Sequence, residues 1–211
     1  FISKCINIIN NHKDKPICFL QAGHTIHFEN TDLNVIKVPE IKNKYEIIDG
    51  KDYLKNFIKI NHFSHLATIY NKPKAIETGF YLSDILSTDI ESILKLALTG
   101  KVVLIKESVG VWVQHNENIS SKSGLNKLIE NLQWIDNIYK YLIDKTGEKK
   151  NWDKWKKDNY KIQLTGIFFK EAKQTKNISE KIELLKYFWE NYRFLYFYPV
   201  FIKKTIESFL K

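Results

Sequence analysis

The hydrophobic pattern of the first half of the chain switches repeatedly between helix and strand periods. The opening FISKCINIINNH spaces Ile2, Ile6 and Ile9 as a helix does. PICFLQAGHTIHF reads as a strand entered through Pro16. From Glu29 to Lys44 the pattern lapses, which predicts a loop. DGKDYLKNFIKI restarts a helix, with Asp49 as N-cap and Tyr53, Leu54, Phe57 and Ile58 turned inward. HLATIY predicts a short strand, and NKPKAIETGFYLSDIL a turn-rich connection punctuated by Pro73 and Gly79. In STDIESILKLALTGK, Thr88 and Glu91 match a capping box, and Ile90, Ile93, Leu94 and Ala97 form an apolar stripe. Gly100 stands where a left-handed residue would close that helix. KVVLIKESVGVWVQH follows as one bent strand or two short ones, with Val109, Val111 and Val113 on the face of His115.

From Ser121 the pattern is helical only. GLNKLIENLQWIDNIYKYLI carries Leu125, Leu128, Leu132, Ile135 and Tyr139 at helical spacing. A charged stretch around NWDKWKKDNYK leads into another helix, and NISEKIELLKYFWENYRF places Ile182, Leu185 and Trp189 on a third. Pro199 suits the first turn of the last one. The reading is therefore an α/β unit over 1–120 and an all-helical extension over 121–211.

Composition narrows the class. The chain has 211 residues, 44% of them hydrophobic, enough for a real core and typical of a globular protein. No stretch is long and apolar enough to span a bilayer, and no signal peptide is visible. Cys5 and Cys18 form no metal or disulfide motif, which favours a reducing compartment. The chain begins with Phe and contains no Met, so it reads as a fragment, or as a sequence from which modified residues are missing. The net charge of +9 is unevenly spread: 1–120 carry 14 Lys and 13 Asp+Glu, while 121–211 carry 19 Lys+Arg and 11 Asp+Glu. The basic tail is either a solvated lysine face or a surface for an anionic partner.

Candidate chemistry concentrates around Asp89. A carboxylate at a loop–helix junction either serves the helix dipole or works as a base. The segment ATIYNKPKAIETGFYLSDILSTDIESILKLALTGKVVLIKESVGVWVQHNENIS resembles the second half of the catalytic domain of family-2 glycosyltransferases, which have the GT-A fold. The resemblance rests on Gly79-Phe80, Asp89 at a helix start, Gly100, and His115 followed by Asn118 and Ser120. It covers roughly 1–120 and implies a partial GT-A-like mixed sheet with helices. It also implies transfer of a sugar from a nucleotide-sugar donor to the hydroxyl of a glycan or lipid-linked acceptor, as in surface polysaccharide assembly. In that reading Asp89 is the base, Gly79, Phe80, Asp84, Asn118 and Ser120 line the substrate, and His115 contacts a divalent metal (Mg or Mn) or the diphosphate. Asp84 or Glu91 would offset the acidifying effect of the helix start on Asp89. The D-x-D motif that supplies the main metal ligands in that family is absent, so the sequence looks cut just downstream of it and the fragment is expected to be inactive alone. An Arg that many members carry is replaced here by Val113 or Gln114.

Two other arrangements have less behind them. His24-x-x-His27 and His62-x-x-His65 lack the spacing of a helical zinc motif, and Ser108, Ser120 and Cys18 lack the motifs of nucleophilic catalysis. For 121–211 the open readings are a lid or homodimerisation element, contact with an anionic membrane, and nucleic-acid binding, with helix–helix packing as the plain account of its aromatic stripe. The expected location is cytoplasmic, peripheral to the inner face of a membrane. The competing function for the whole chain is a non-enzymatic basic helical module binding nucleic acid or anionic membrane, with 1–120 as scaffold.

Overall fold

The computed structural model describes residues 1–60, 65–115, 123–175 and 177–209. The chain divides into two units, Phe1–Lys122 and Ser123–Lys211. The first is mixed α/β and the second is helical.

In the first unit, α1 (Ile2–Asn11) leads to β1 (Ile17–Phe28), β2 (Leu33–Lys37) and β3 (Tyr45–Asp49). Then come α2 (Gly50–Ile60), a 3-10 turn (His65–Ala67), β4 (Thr68–Tyr70), α3 (Lys72–Glu77), α4 (Thr88–Ala97) and β5 (Lys101–Gln114). The sheet order is β2-β1-β5-β3, with β4 added to the edge that β1 shares with β2. Among the described strands only β1 and β5 run parallel, and the other pairs are antiparallel. The central pair is covered on both faces, which explains the unbroken apolar runs of its strands. Leu20, Ala22, Val103 and Ile105 meet Cys5 and Ile8 of α1 on one face. On the other, Phe19 lies edge-on to Tyr53 of α2 at 5.2 Å, and the Tyr53 hydroxyl donates to Gln21 at 3.0 Å.

Several local expectations are corrected. The stretch 29–44 contains β2, which pairs with β1 from His24 to Phe28, and β3 begins just beyond it. β2 is too short and too exposed to show a clear alternation. The turn-rich connection contains α3, with Asn71 accepting the Lys74 amide at its N-terminus. Helix α1 forms as predicted but turns Cys5 and Ile8 inward, leaving Ile2 and Ile6 exposed. Periodicity identifies a helix there, but two adjacent apolar stripes leave its inward face undecided.

Gly100 is not left-handed. Its role is close approach: a Cβ there would lie 1.9 Å from the Pro16 carbonyl oxygen, where Lys101 donates to that same oxygen at 2.9 Å to start the β1–β5 pairing. β5 is a single 14-residue strand. It bends because Lys106 and Glu107 are extra residues between the Ala22–Ile105 and Gly23–Ser108 pairs.

The second unit runs α5 (Leu125–Glu130), α6 (Gln133–Thr146), α7 (Lys149–Gln174), α8 (Ile178–Asn191), a 3-10 segment (Arg193–Phe197) and α9 (Pro199–Phe209). The first predicted helix is broken at Asn131–Leu132. The charged stretch is not a lead-in but the first half of α7. That helix buries Trp152 and Trp155 early and Leu164, Ile167 and Phe168 late, so no single stripe marks it. Gly147, at φ 68°, closes α6 in the left-handed conformation glycine favours. Phe168 packs against Phe188 at 5.2 Å and Phe201 at 4.9 Å to join α7, α8 and α9. Phe188 is buried, whereas Ile182 and Trp189 of the predicted stripe are exposed. Among the described residues no helix is long and apolar enough to cross a membrane.

Candidate functional site

The segment between β4 and α4 is shaped by two left-handed residues. α3 ends at Thr78, whose hydroxyl donates to the carbonyls of Lys74 and Ala75, and Gly79 follows at φ 69°. The Phe80 amide then returns to the Ala75 carbonyl at 3.1 Å. Glycine takes this φ freely, but Tyr81 adopts φ 62° with a full side chain, which is costly. Its amide is held by the hydroxyl of buried Ser92 on α4, at 2.8 Å.

The strained turn drives the Tyr81 ring into an aromatic group. Its hydroxyl lies 2.6 Å from Nε2 of His65, and the Tyr70 hydroxyl lies 3.0 Å from the same nitrogen. His65 stacks on Tyr70 with centroids 5.6 Å apart, and Phe80 tilts onto Tyr70 at 4.8 Å. Burial pushes the Tyr81 phenol up to about 12, and the nearby Tyr70 and the Asp89 carboxylate add to the shift. The charge of Asp89 is therefore felt at the Tyr81 hydroxyl.

Asp89 lies half-buried in the first turn of α4. Its Oδ1 accepts the Ile90 amide at 2.8 Å. Its other oxygen takes no hydrogen bond from the described residues. The capping box is not formed. Thr88 is the first helical residue rather than the cap, and its hydroxyl is buried with no partner among the described residues. Glu91 instead turns inward, where it accepts the Ser83 hydroxyl at 2.6 Å and pairs with Lys95 one turn on. A buried carboxylate prefers a charge-assisted bond to a half-buried cation over the backbone amide of the cap, so Glu91 is engaged elsewhere than at Asp89. Asp84 is exposed in the loop before α4.

An open cavity of about 710 Å³ adjoins the aromatic group and is lined by Tyr70, Lys72, Ile76, Gly79, Phe80 and Leu82 among others. Gly79 and Phe80 both line that cavity. Asp89 is not among the residues that line the cavity, whereas Phe80 is, and the Phe80 and Tyr81 rings meet at 4.9 Å.

His115 directly follows the last residue of β5 and is half-buried. Asn118 and Ser120 lie outside the described residues, as does His62. Among the described residues no three His, Cys, Asp or Glu side chains converge to hold an ion. His115 alone does not constitute a metal centre, and no chemical step below is routed through one. Sequence reasoning missed Tyr81, Tyr70 and Ser92, and considered His65 only as a metal ligand. The one local signal was a tyrosine directly after Gly-Phe, and the left-handed backbone that gives it a role is invisible in the sequence.

No protein-family model matches the chain, and no curated protein matches it.

Proposed function

We propose that residues 1–120 are the acceptor-side part of a glycosyltransferase that moves a sugar from a nucleotide-sugar donor to an acceptor hydroxyl, with Asp89 as the base. The observation that carries this reading is the state of Asp89: one oxygen is pinned by the Ile90 amide, while the other is unengaged among the described residues on a half-exposed first turn. A pinned carboxylate loses little freedom when it accepts a hydrogen bond from an incoming alcohol, which general base catalysis requires. The alcohol oxygen attacks the anomeric carbon, its proton passes to Asp89, and the bond from that carbon to the diphosphate breaks with the electron pair leaving on phosphate. The configuration at carbon inverts. Gly79 and Phe80 form the surface beside which the sugar sits, and the Tyr81–His65 contact fixes the turn that carries them. The order Gly79-Phe80, Asp89, Gly100, His115 supports the family assignment. A cytoplasmic location, at or near the inner face of a membrane, goes with this reading.

The test uses the complete encoded protein with a panel of nucleotide sugars. Asp89→Asn keeps an oxygen for the Ile90 amide but cannot take a proton. It should lower turnover by about 10² to 10⁴-fold, the usual share of a general base, with circular dichroism and donor binding unchanged. Turnover close to that of the parent protein would remove Asp89 from the role.

A further inference from the structure

The helical unit contains a groove of about 540 Å³ where α6 and α7 meet the end of α8. Its base is rigid. Asp136 pairs with Lys156 at 2.7 Å and accepts the Tyr160 hydroxyl at 2.7 Å, and Lys156 lies 4.7 Å from the centre of the Tyr139 ring. Both oxygens of Asp136 are thereby engaged, and its carboxyl is held below the ordinary range by these partners despite its burial. Beneath this base Trp155 makes edge-on contacts with Trp134 and Trp152, whose indole N–H donates to Thr146 at 2.8 Å.

The groove's remaining groups are of three kinds. Asp153 gives one oxygen to the Tyr139 hydroxyl and Asn191 gives its amide N–H to the Tyr187 carbonyl, so each keeps an acceptor oxygen that the described residues leave unengaged. Lys157 is exposed and supplies donors. Tyr192 and the exposed Phe194 supply aromatic surface.

The charges within the groove cancel: two aspartates stand against two lysines, in a part of the chain whose net charge is +8. A polyanion gains nothing from such a site, and a cation meets lysines. An apolar helix would bury the free polar oxygens at a cost. A neutral, polyhydroxylated ligand satisfies every feature. Its hydroxyls donate to Asp153 and Asn191 and accept from Lys157, while its C–H faces lie on aromatic rings, whose faces are electron-rich.

We infer that this groove binds neutral oligosaccharide. The inference stands on the helical unit alone and does not depend on Asp89 or on transfer activity. It is tested by binding of the full chain to an array of neutral oligosaccharides built from glucose, galactose, mannose and N-acetylhexosamines, with sulfated and sialylated glycans as anionic controls. The expected result is retention on neutral glycans that persists at high salt, with Asp153→Asn and Phe194→Ala each weakening it by about tenfold or more, equivalent to about 1.4 kcal/mol. Both side chains are exposed, so circular dichroism and thermal midpoints should stay at parental values. Failure of every neutral glycan to bind overturns the inference. So does binding confined to anionic glycans and lost with salt, or neutral binding that both variants retain in full. Because Asp89→Asn leaves the groove intact, loss of transfer with retained binding would separate the fate of the two proposals.

Discussion

The phenol of Tyr81 meets Nε2 of His65 at 2.6 Å, from a backbone held in the left-handed region and within reach of the Asp89 charge. This phenol ionises near 10 in an unfolded chain but near 12 in the folded one. Its contribution to stability is therefore complete below pH 10 and is lost as pH rises toward 12. Tyr81→Phe should fall off less with alkali than the parent. Urea midpoints at about pH 9 and about pH 11 would show it as a parent–variant gap that shrinks or reverses at the higher pH.

Two glycines should respond to alanine very differently. At Gly100 the new Cβ would lie 1.9 Å from the Pro16 carbonyl oxygen, backbone that cannot step aside without opening the β1–β5 start. Overpacking of this kind costs about 3 kcal/mol or more. At Gly147 nothing lies within 4 Å, and only the left-handed φ of 68° opposes the change, for about 1 to 2 kcal/mol. Equilibrium urea unfolding of both variants should rank Gly100→Ala as clearly the less stable.

Asp49 links the end of β3 to the start of α2. Its Oδ1 accepts the Lys51 amide at 2.9 Å, and its Oδ2 meets Lys101 at 3.1 Å. These bonds, led by the Lys51 amide, hold its carboxyl below the ordinary 3.8. The stabilisation is present above that value and disappears as pH falls through the lower folded-state value. Asp49→Ala should cost about 1 kcal/mol at neutral pH, the usual worth of such a cap. The loss should vanish in strong acid, as acid titrations of parent and variant followed by circular dichroism would show.

The two thiols should be inert in the native protein. Cys18 is fully buried, its thiol donates to the Lys101 carbonyl at 3.0 Å, and burial pushes it up to about 12. Cys5 is buried against the sheet by α1, and burial raises it too. Since the thiolate is the reactive form, an aromatic disulfide reagent at neutral pH should titrate neither thiol until denaturant is added, and then both. Rapid reaction of one thiol under native conditions would show that its helix or strand opens readily.

Legibility differed between elements for physical reasons. α1, β1, α2, α4, β5 and α9 were readable because each carries a strong period or a run buried on both faces. β2 and α3 were not, because both are short and exposed, and their backbone bonds to β1 and to the Asn71 cap define them more than their side chains do. α7 was half-read, since its buried positions shift face along 26 residues as its neighbours change. In the site, Asp89 could be singled out from its place at a helix start. Its relation to Tyr81 and His65 could not, because positions 65, 81 and 89 meet only after the chain has turned at Gly79 and Tyr81.

The sequence by itself therefore determined the strongly periodic helices and the buried strands, where charge accumulates, and which acid stands at a helix mouth, because these follow from local periodicity and residue type. Tertiary structure alone decided which face of α1 is buried, that Gly100 serves close approach rather than a left-handed turn, that Glu91 turns to Ser83 and Lys95 instead of capping, and that charges within the α6–α7 groove cancel. Each of those outcomes depends on how side chains and backbone meet in three dimensions, from Glu91 and Lys95 one turn apart to Gly100 and Pro16 far apart in the chain, and the hydrophobic period contains no term for such a neighbour.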